Sequence, residues 1–491
     1  MKWLEWFENM IAVLSPKMAY EREVYRQGRD EIKERGYDAG NHDRMNRRWR
    51  TQNRSAEFED RYDRDTVRAR ARDLERNSDM MRSILRAITR NTIGRGIELQ
   101  ARTDDEKLNE ALESLWEEWC RARNCDVTGQ QNFNQILRMA VIRKKVDGGI
   151  IFKKCYTDGG VLPFKLQALE VDELDITAIT PKHEGNKVVG GIEYNEYNRP
   201  VGYWIRQYSI DGLLLNQPVY YDAKEIIFYF EKERPSQLRE MSDMAATIPR
   251  IRDTNEFITA VAVKERVAAC FAVAVKRMKD VLGNVIGRGG SATSDGQKKT
   301  YDGKQIAPGM MMELNSGDEV QVIDPGNSGN DANTHLKMQV RLMGAGQGLS
   351  YESISRDMSE TNYSSARQGS IEDELTFAEE MEPLMEHLMD EVYETFVISA
   401  VLAGLVTIKD FWRDKRKYMR HEWVLSPKKW IDPLKEANAN RIAMETGQKT
   451  FKQISAEQGK DWKQQIDDMA EVLEYAKEKG VDVKGGVVGE K

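Results

Sequence analysis

YESISRDMSETNYSSARQGS, residues 351–370, runs directly into IEDELTFAEEMEPLMEHLMDEVYETFVISAVLAG, residues 371–404. The first half is polar and serine-rich. In the second half Ile371, Leu375, Ala378, Met381, Met385, Leu388, Val392 and Phe396 recur at steps of three and four, one stripe of an α-helix. From Ser364 to Ala403, at about 1.5 Å per residue, that helix runs roughly 60 Å, long for an ordinary domain. Pro383 sits in its middle and removes one backbone donor, so it reads as a kink rather than a stop. Gly404 suits a C-cap. By periodicity alone this is a bundle helix.

The chain has 491 residues, enough for two to four domains with substantial cores. Hydrophobic content of 40% is low and charged content of 32% is high, which suits a large wetted surface or packing completed by neighbours. A net charge of −7 gives no overall argument for nucleic-acid binding. Cys120, Cys125, Cys155 and Cys270 form no CxxC pair, which points to a reducing compartment and away from zinc. No apolar run is long enough to span a bilayer. At the N-terminus Trp3, Leu4, Phe7, Ile11 and Leu14 fall on one helical face; the segment is too acidic and amphipathic for a secretory signal and reads as a docking helix.

Several separate phrases, in order, carry a resemblance. They are DTVRARARDLERNSDMMRSILRAITRNTIGRG (65–96), VDGGIIFKK, LQALEVDELD, GIEYNEYNRPVGYWI and ERPSQLRE; then NYSSARQ opening the long helix; then a WxDPxK phrase at Trp430, Asp432, Pro433 and Lys435. From about Asp38 to about Val483 the chain resembles the portal proteins of tailed bacteriophages, the lambda-type family. The resemblance implies an α+β portal fold. Its parts would be an N-terminal arm (1–40), Arg-rich helices and an α+β wing (41–241), a first stem helix (242–278) and a small β-containing clip (279–330). A second stem helix (331–348), a channel loop (349–363), the long helix (364–404), and a helical crown and tail (405–491) would follow.

The residues between these phrases have a reading of their own. From Asn41 to Arg95 there are fifteen arginines, no lysine and nine acids, so the segment is net positive. Exclusive Arg use favours bidentate contacts. Arg47, Arg48, Arg50, Arg68, Arg70 and Arg72 are candidates for subunit or DNA contact, and a salt-bridged solvated face is the equal alternative. Residues 97–235 mix amphipathic helices with strands rich in β-branched and aromatic residues, an α+β domain. Glu170, Asp172, Glu173 and Asp175 are crowded at a strand end, where a polar turn is commoner than an acid–base or metal site. From Ser242 to Met278 an alanine- and valine-rich helix suits close packing in a ring, or burial within one chain. Lys264, Arg266, Lys276 and Arg277 are its candidate contacts. Residues 279–330 are Gly-, Ser- and Lys-rich and read as a protruding module whose basic tip is Arg288, Lys298, Lys299 and Lys304.

No chemistry is legible. Gly344, Gly346 and Gly348 follow a helical stretch rather than a strand, so they read as a helix end, not a phosphate cradle. TGQKT (446–450) lacks the glycines of a Walker A loop, His421–Glu422 has no second histidine four residues on, and no GxSxG occurs. Catalytic residues, metal ligands and cofactors are therefore expected to be absent. The resemblance implies instead a ring of twelve copies at one capsid vertex of the virion, built in the host cytoplasm. Double-stranded DNA would pass its axial channel. Terminase large subunit, head-completion or adaptor proteins, and major capsid and scaffold proteins would be its partners, with no membrane. Arg356, Asp357, Ser359, Glu360, Thr361, Asn362 and Tyr363 would form the channel loop. A terminase-like ATPase or nuclease is the rival from another class, and a head–tail adaptor ring the rival within structural proteins; adaptors are usually much shorter chains.

Overall fold

The computed structural model describes residues 51–215, 217–270, 274–275, 312–313, 329–359, 362–425, 433–460 and 462–481, with scattered positions between 10 and 25. The chain divides into two compact units, Met1–Ser55 and Ala56–Lys491. The docking face of Trp3, Leu4, Phe7, Ile11 and Leu14 lies outside the described residues.

The second unit opens with α1 (Ala56–Asn77) and α2 (Asp79–Ile93), separated by Ser78, whose hydroxyl accepts the Met81 N–H and caps α2. β1 (Ile97–Ala101), α3 (Glu106–Trp119), the short α4 (Ala122–Cys125) and α5 (Phe133–Asp147) follow. Asn132 and Gln135 form a reciprocal capping box on α5. Gly148 ends α5 at φ +88, and a Cβ there would lie 2.4 Å from the Met241 carbonyl carbon. Only glycine suits that left-handed, crowded position.

Two antiparallel sheets come next. One has the order β3 (Phe164–Leu169), β2 (Gly149–Tyr156), β8 (Ile226–Phe230). The other runs β4 (Lys187–Val189), β5 (Ile192–Tyr194), β6 (Pro200–Ile205), β7 (Val219–Asp222). Alternation along β2 divides the core: Ile150 and Phe152 face the main helical core, whereas Ile151 faces a smaller one formed with Leu169, Leu174, Ile192 and Ile205. The α+β texture read from residues 97–235 is thus two sheets with helices on one side of the first.

α6 (Ile248–Cys270) is shorter than the 242–278 segment read as helical. Ser242 and Asp243 are held out of the helix by side-chain bonds to α5, where the Ser242 hydroxyl donates to the Lys145 carbonyl. Pro249 lies in the first turn of α6, where a missing N–H costs nothing. Beyond α6, β9 (Ala274–Val275) pairs parallel with β10 (Met312–Glu313). α7 (Gly329–Gly346) packs on α6, with Phe257 against His335. Gly348 follows at φ +66, so the glycine cluster is a helix end.

After α8 (Tyr351–Ser355), the long helix is continuous in three pieces: α9 (Tyr363–Leu384), a π-helical turn (Met385–Met389) and α10 (Asp390–Leu402). Pro383 neither stops it nor goes unaccommodated. Directly after Pro383 the hydrogen-bond ladder widens, the Asp390 N–H donating to the Met385 carbonyl. Ala403 is the C-cap and Gly404, at φ +72, the left-handed residue after it. α10 threads an aromatic core: Trp116 meets Phe396 edge-on at 5.0 Å, and Trp119 stacks on Phe164 at 5.4 Å. Then α11 (Lys415–Tyr418) leads to β11 (His421–Leu425), which returns to pair with β1, Ile97 opposite Leu425. Of the WxDPxK phrase, Trp430 and Asp432 lie outside the described residues, and Pro433 begins α12 (Pro433–Glu445). α13 (Phe451–Glu457) and α14 (Trp462–Glu478) complete the described chain.

Candidate functional site

The segment between α8 and α9 is tied down at its base. Asp373 is buried on the inner face of α9 and accepts the Ser350 N–H at 2.6 Å, the Ser350 hydroxyl at 2.8 Å and the Ser353 hydroxyl. Arg356 adopts a left-handed φ of 57 and ends α8. Asp357 accepts the Ser359 N–H at 3.0 Å and its hydroxyl at 2.6 Å, and these bonds hold its carboxyl below the ordinary range. Asn362 caps α9, accepting the Ser365 N–H at 2.9 Å. Glu360 and Thr361, and the side chain of Tyr363, lie outside the described residues.

The arginines read as one N-terminal face divide. Arg47, Arg48 and Arg50 lie outside the described residues. Arg68 is buried, pairing with Glu240 at 3.0 Å and Asp172 at 3.1 Å. Arg72 reaches Asp147 at 2.7 Å, Asp172 at 2.6 Å and Glu170 at 3.2 Å. Burial opposes its charge, but these carboxylates outweigh burial and raise its pKa. Arg68 and Arg72 therefore do not belong to an open contact face, because intramolecular acids already neutralise them. Arg70 alone of the three is turned outward, into a groove of about 700 Å³ between α1 and the start of α6, lined also by Ala69, Leu74, Ile248 and Arg252. The acids Glu170, Asp172, Glu173 and Asp175 are structural: the first two meet Arg72, Glu173 caps its own turn, and Asp175 meets Arg206 at 2.9 Å.

On α6, Arg266 is exposed and its Nε donates to the Ala262 carbonyl; Lys264 is half-buried. Lys276, Arg277, Arg288, Lys298, Lys299 and Lys304 lie outside the described residues.

Sequence reasoning missed a buried ionic junction. Lys144, on α5, meets Glu231 at 2.7 Å, Glu380 at 2.9 Å and Asp243 at 3.5 Å. Lys145 meets Glu380 and, at 3.2 Å, Asp243. Burial pulls the Lys144 pKa down, but the Asp243 and Glu380 charges outweigh it and hold the amine protonated. Burial likewise pushes Glu380 up, and Lys145 and Lys144 bring it below its ordinary range. The junction pins α5, the approach to α6 and the long helix at one point. The adjacent lysines of RKKVDGG, following the apolar run 139–142 at the end of α5, were the available signal. Beside it, Glu240 is fully buried among Arg239, Arg64 and Arg68.

Among the described residues no group of His, Cys, Asp and Glu is arranged to hold a metal, and no helix is long and apolar enough to cross a membrane. The described residues give an α+β body, two helices packed on each other (α6 and α7) and a long helix that passes through a π-helical turn, with the foot of α9 bonded to Ser350 and Ser353. The family model described as "Phage portal protein, lambda family" matches residues 42–380, and the chain belongs to that family. It is 24% identical over 411 residues to the "Probable portal protein" of Halomonas phage phiHAP-1, covering 81% of this chain and 78% of that one. It is 18% identical over 382 residues to "Portal protein B" of Escherichia phage lambda, covering 72% and 71%. Among solved structures, a chain from the neck of an empty GTA particle computed with C6 symmetry aligns over 81% of this chain and 93% of its own, at 14% identity and a TM-score of 0.41.

Proposed function

We propose that twelve copies close into a ring at one capsid vertex of the virion, after assembly in the host cytoplasm, and that double-stranded DNA passes through its axial channel. The observation that carries the reading is the outward stripe of α9. Ile371 and Leu375 are 44% and 60% exposed, and Ala378 is exposed beside them, on a helix whose continuation is core. Between Glu256 and Arg266 most of α6 is exposed too, including Ile258, Ala260, Ala262 and Val263. Apolar surface left exposed on more than one helix is what a heterologous ring interface takes from each neighbour. Negative-stain microscopy of the purified protein tests the reading: rings with a central hole support it, and a persistent monomer rejects it.

In this reading residues 41–241 form the wing, α6 and α7 the stem and 364–404 the long helix, with the N-terminal arm (1–40) and the crown (405–491) at the ends. Residues 279–330 are the clip, where terminase large subunit and head-completion or adaptor proteins dock, and major capsid and scaffold proteins surround the ring. No turnover is required, so the rings should show no DNA-stimulated ATPase activity. The channel loop is residues 349–363. Asp357 and Glu360 repel a passing phosphate backbone while Arg356 attracts it, a balance that favours sliding over gripping. Replacing both acids by lysine should leave rings intact and slow packaging, most severely at low salt. An unchanged packaging rate at every salt concentration would assign the loop to capping α9 alone.

A further inference from the structure

Residues 409–420, KDFWRDKRKYMR, hold six bases, Lys409, Arg413, Lys415, Arg416, Lys417 and Arg420, against two acids, Asp410 and Asp414. A local excess of four positive charges stands out in a chain of net charge −7. The segment is also fixed. Phe411 and Met419 are buried in the main core, Asp414 caps α11, and the Arg420 carbonyl accepts the Arg102 N–H at 2.7 Å.

Its charges are unequally satisfied. Lys417 pairs with Asp104 at 3.0 Å, and Lys415 lies over the Trp412 ring at 4.7 Å. The nearby acid Glu422 is taken by Arg102. Lys409, Arg413, Arg416 and Arg420 are exposed and enter no ion pair among the described residues, and Trp412 is 57% exposed between them. Holding four like charges on an anchored surface is unfavourable in the isolated chain. A dense polyanion would remove that repulsion, and three of the four bases are arginines, whose planar fork matches phosphate.

We propose that this patch is a phosphate-backbone binding site for double-stranded DNA, separate from the channel loop. The identity of the polyanion rests on the portal reading; the charge distribution does not. Duplex DNA carries one charge per about 1.7 Å of axis, and each phosphate neutralised adds about 0.9 to the salt slope of binding. The site reads no sequence, since nothing in it is set out to meet base edges.

The test uses purified full-length rings and a fluorescein-labelled random-sequence duplex, followed by anisotropy between roughly 50 and 200 mM salt. The triple variant R413A/R416A/R420A should bind at least about tenfold more weakly at low salt, with a slope lower by roughly 2 to 3. R413K/R416K/R420K should keep most of the slope, and R76A/R86A/R121A, which removes three charges elsewhere, should bind as the parent does. Rings of the alanine variant with unchanged affinity and slope would overturn the site. Parent rings that bind no duplex even at low salt would overturn it as well and leave the patch to an acidic protein. Failure of the parent chain to form rings at all would count against the portal reading instead. If the alanine variant does not fold, R413Q/R416Q takes its place: with rings visible, weaker binding supports the site and unchanged binding overturns it.

Discussion

Residues 371–379 and 388–400 belong to one helix and one sequence period, yet the first stretch turns its apolar stripe to solvent and the second buries it. Leu388, Val392 and Phe396 are fully buried in the main core, where Phe396 meets Trp116, whereas Ile371 and Leu375 stay exposed. The inner face of α9 is made instead by Asp373 and Phe377 and, just beyond that stretch, Glu380 and Leu384. Both acids are there because partners meet them, serines at Asp373 and two lysines at Glu380. Periodicity reports which residues seek apolar company. It does not report whether that company lies in the same chain.

The sharpest break in the comparison should come from the buried half. Phe396→Ala removes a fully buried aromatic side chain from that core, and should cost the isolated subunit about 3–5 kcal/mol. Urea denaturation of unassembled subunit measures it. A loss below about 1 kcal/mol would mean that α10 is held by something other than this core.

Next in size is the junction where the two halves meet. Glu380→Gln leaves Lys144 with Glu231 and Asp243, and Lys145 with Asp243 alone. The expected cost lies below the roughly 3–5 kcal/mol of a buried charge left with no partner. Because Glu380 precedes Pro383 and the π turn, amide exchange should rise first in α9, with α10 still protected. Uniform loss of protection through both helices would show that the junction does not divide them.

These two contrasts show what was legible in the sequence. The long helix, its continuation through Pro383, its end at Gly404 and the α+β character of 97–235 all follow from local rules of periodicity, capping and alternation. The portal family was legible from separate phrases in order. The interior charge was not. Lys144, Lys145, Arg68, Arg239, Glu240 and Glu380 are buried only because residues far away in sequence meet them, and residue type alone assigns such groups to the surface. For the same reason the Arg-rich segment split: Arg68 and Arg72 found acids at 147, 172 and 240, which no spacing within 41–95 announces. The basic patch at 409–420 is masked by the negative net charge of the whole chain.

The paired carboxylates also set a smaller, pH-dependent effect. Burial raises Glu240, but Arg239 and then Arg64 and Arg68 hold it below its ordinary range; Glu380 is depressed by its lysines in the same way. Asp390, where burial is outweighed by bonds from His421 and Trp423, is lowered too. A carboxylate depressed in the folded state stabilises fully above its unfolded pKa, and that contribution disappears as pH falls through the folded value. Asp243 is raised by burial, despite Lys145 and Lys144, and so offsets part of the loss. Subunit stability should therefore hold near neutrality and decline below about pH 4.3, with a shallower decline in Glu380→Gln. Thermal melts across roughly pH 3 to 7 check this, and equal acid slopes for the two proteins would remove Glu380 from the account.

The smallest expected change in the subunit decides most about the exposed half. Leu375 is 60% exposed, so Leu375→Ala removes little that the isolated chain buries, and alanine is the better helix former. Unfolding of the unassembled subunit should shift by no more than about 0.5 kcal/mol. If the stripe of Ile371, Leu375 and Ala378 meets a neighbouring copy, the same substitution is repeated at every interface of the ring. Its cost then accumulates around the ring, and assembly should require higher protein concentration or fail. Measuring subunit melting together with ring yield by microscopy separates the two readings of that stripe. A variant that assembles as readily as the parent would make the stripe ordinary solvent-facing surface. One that loses as much subunit stability as Phe396→Ala would place the stripe's partner within the same chain, and the contrast between the two halves of the helix would disappear.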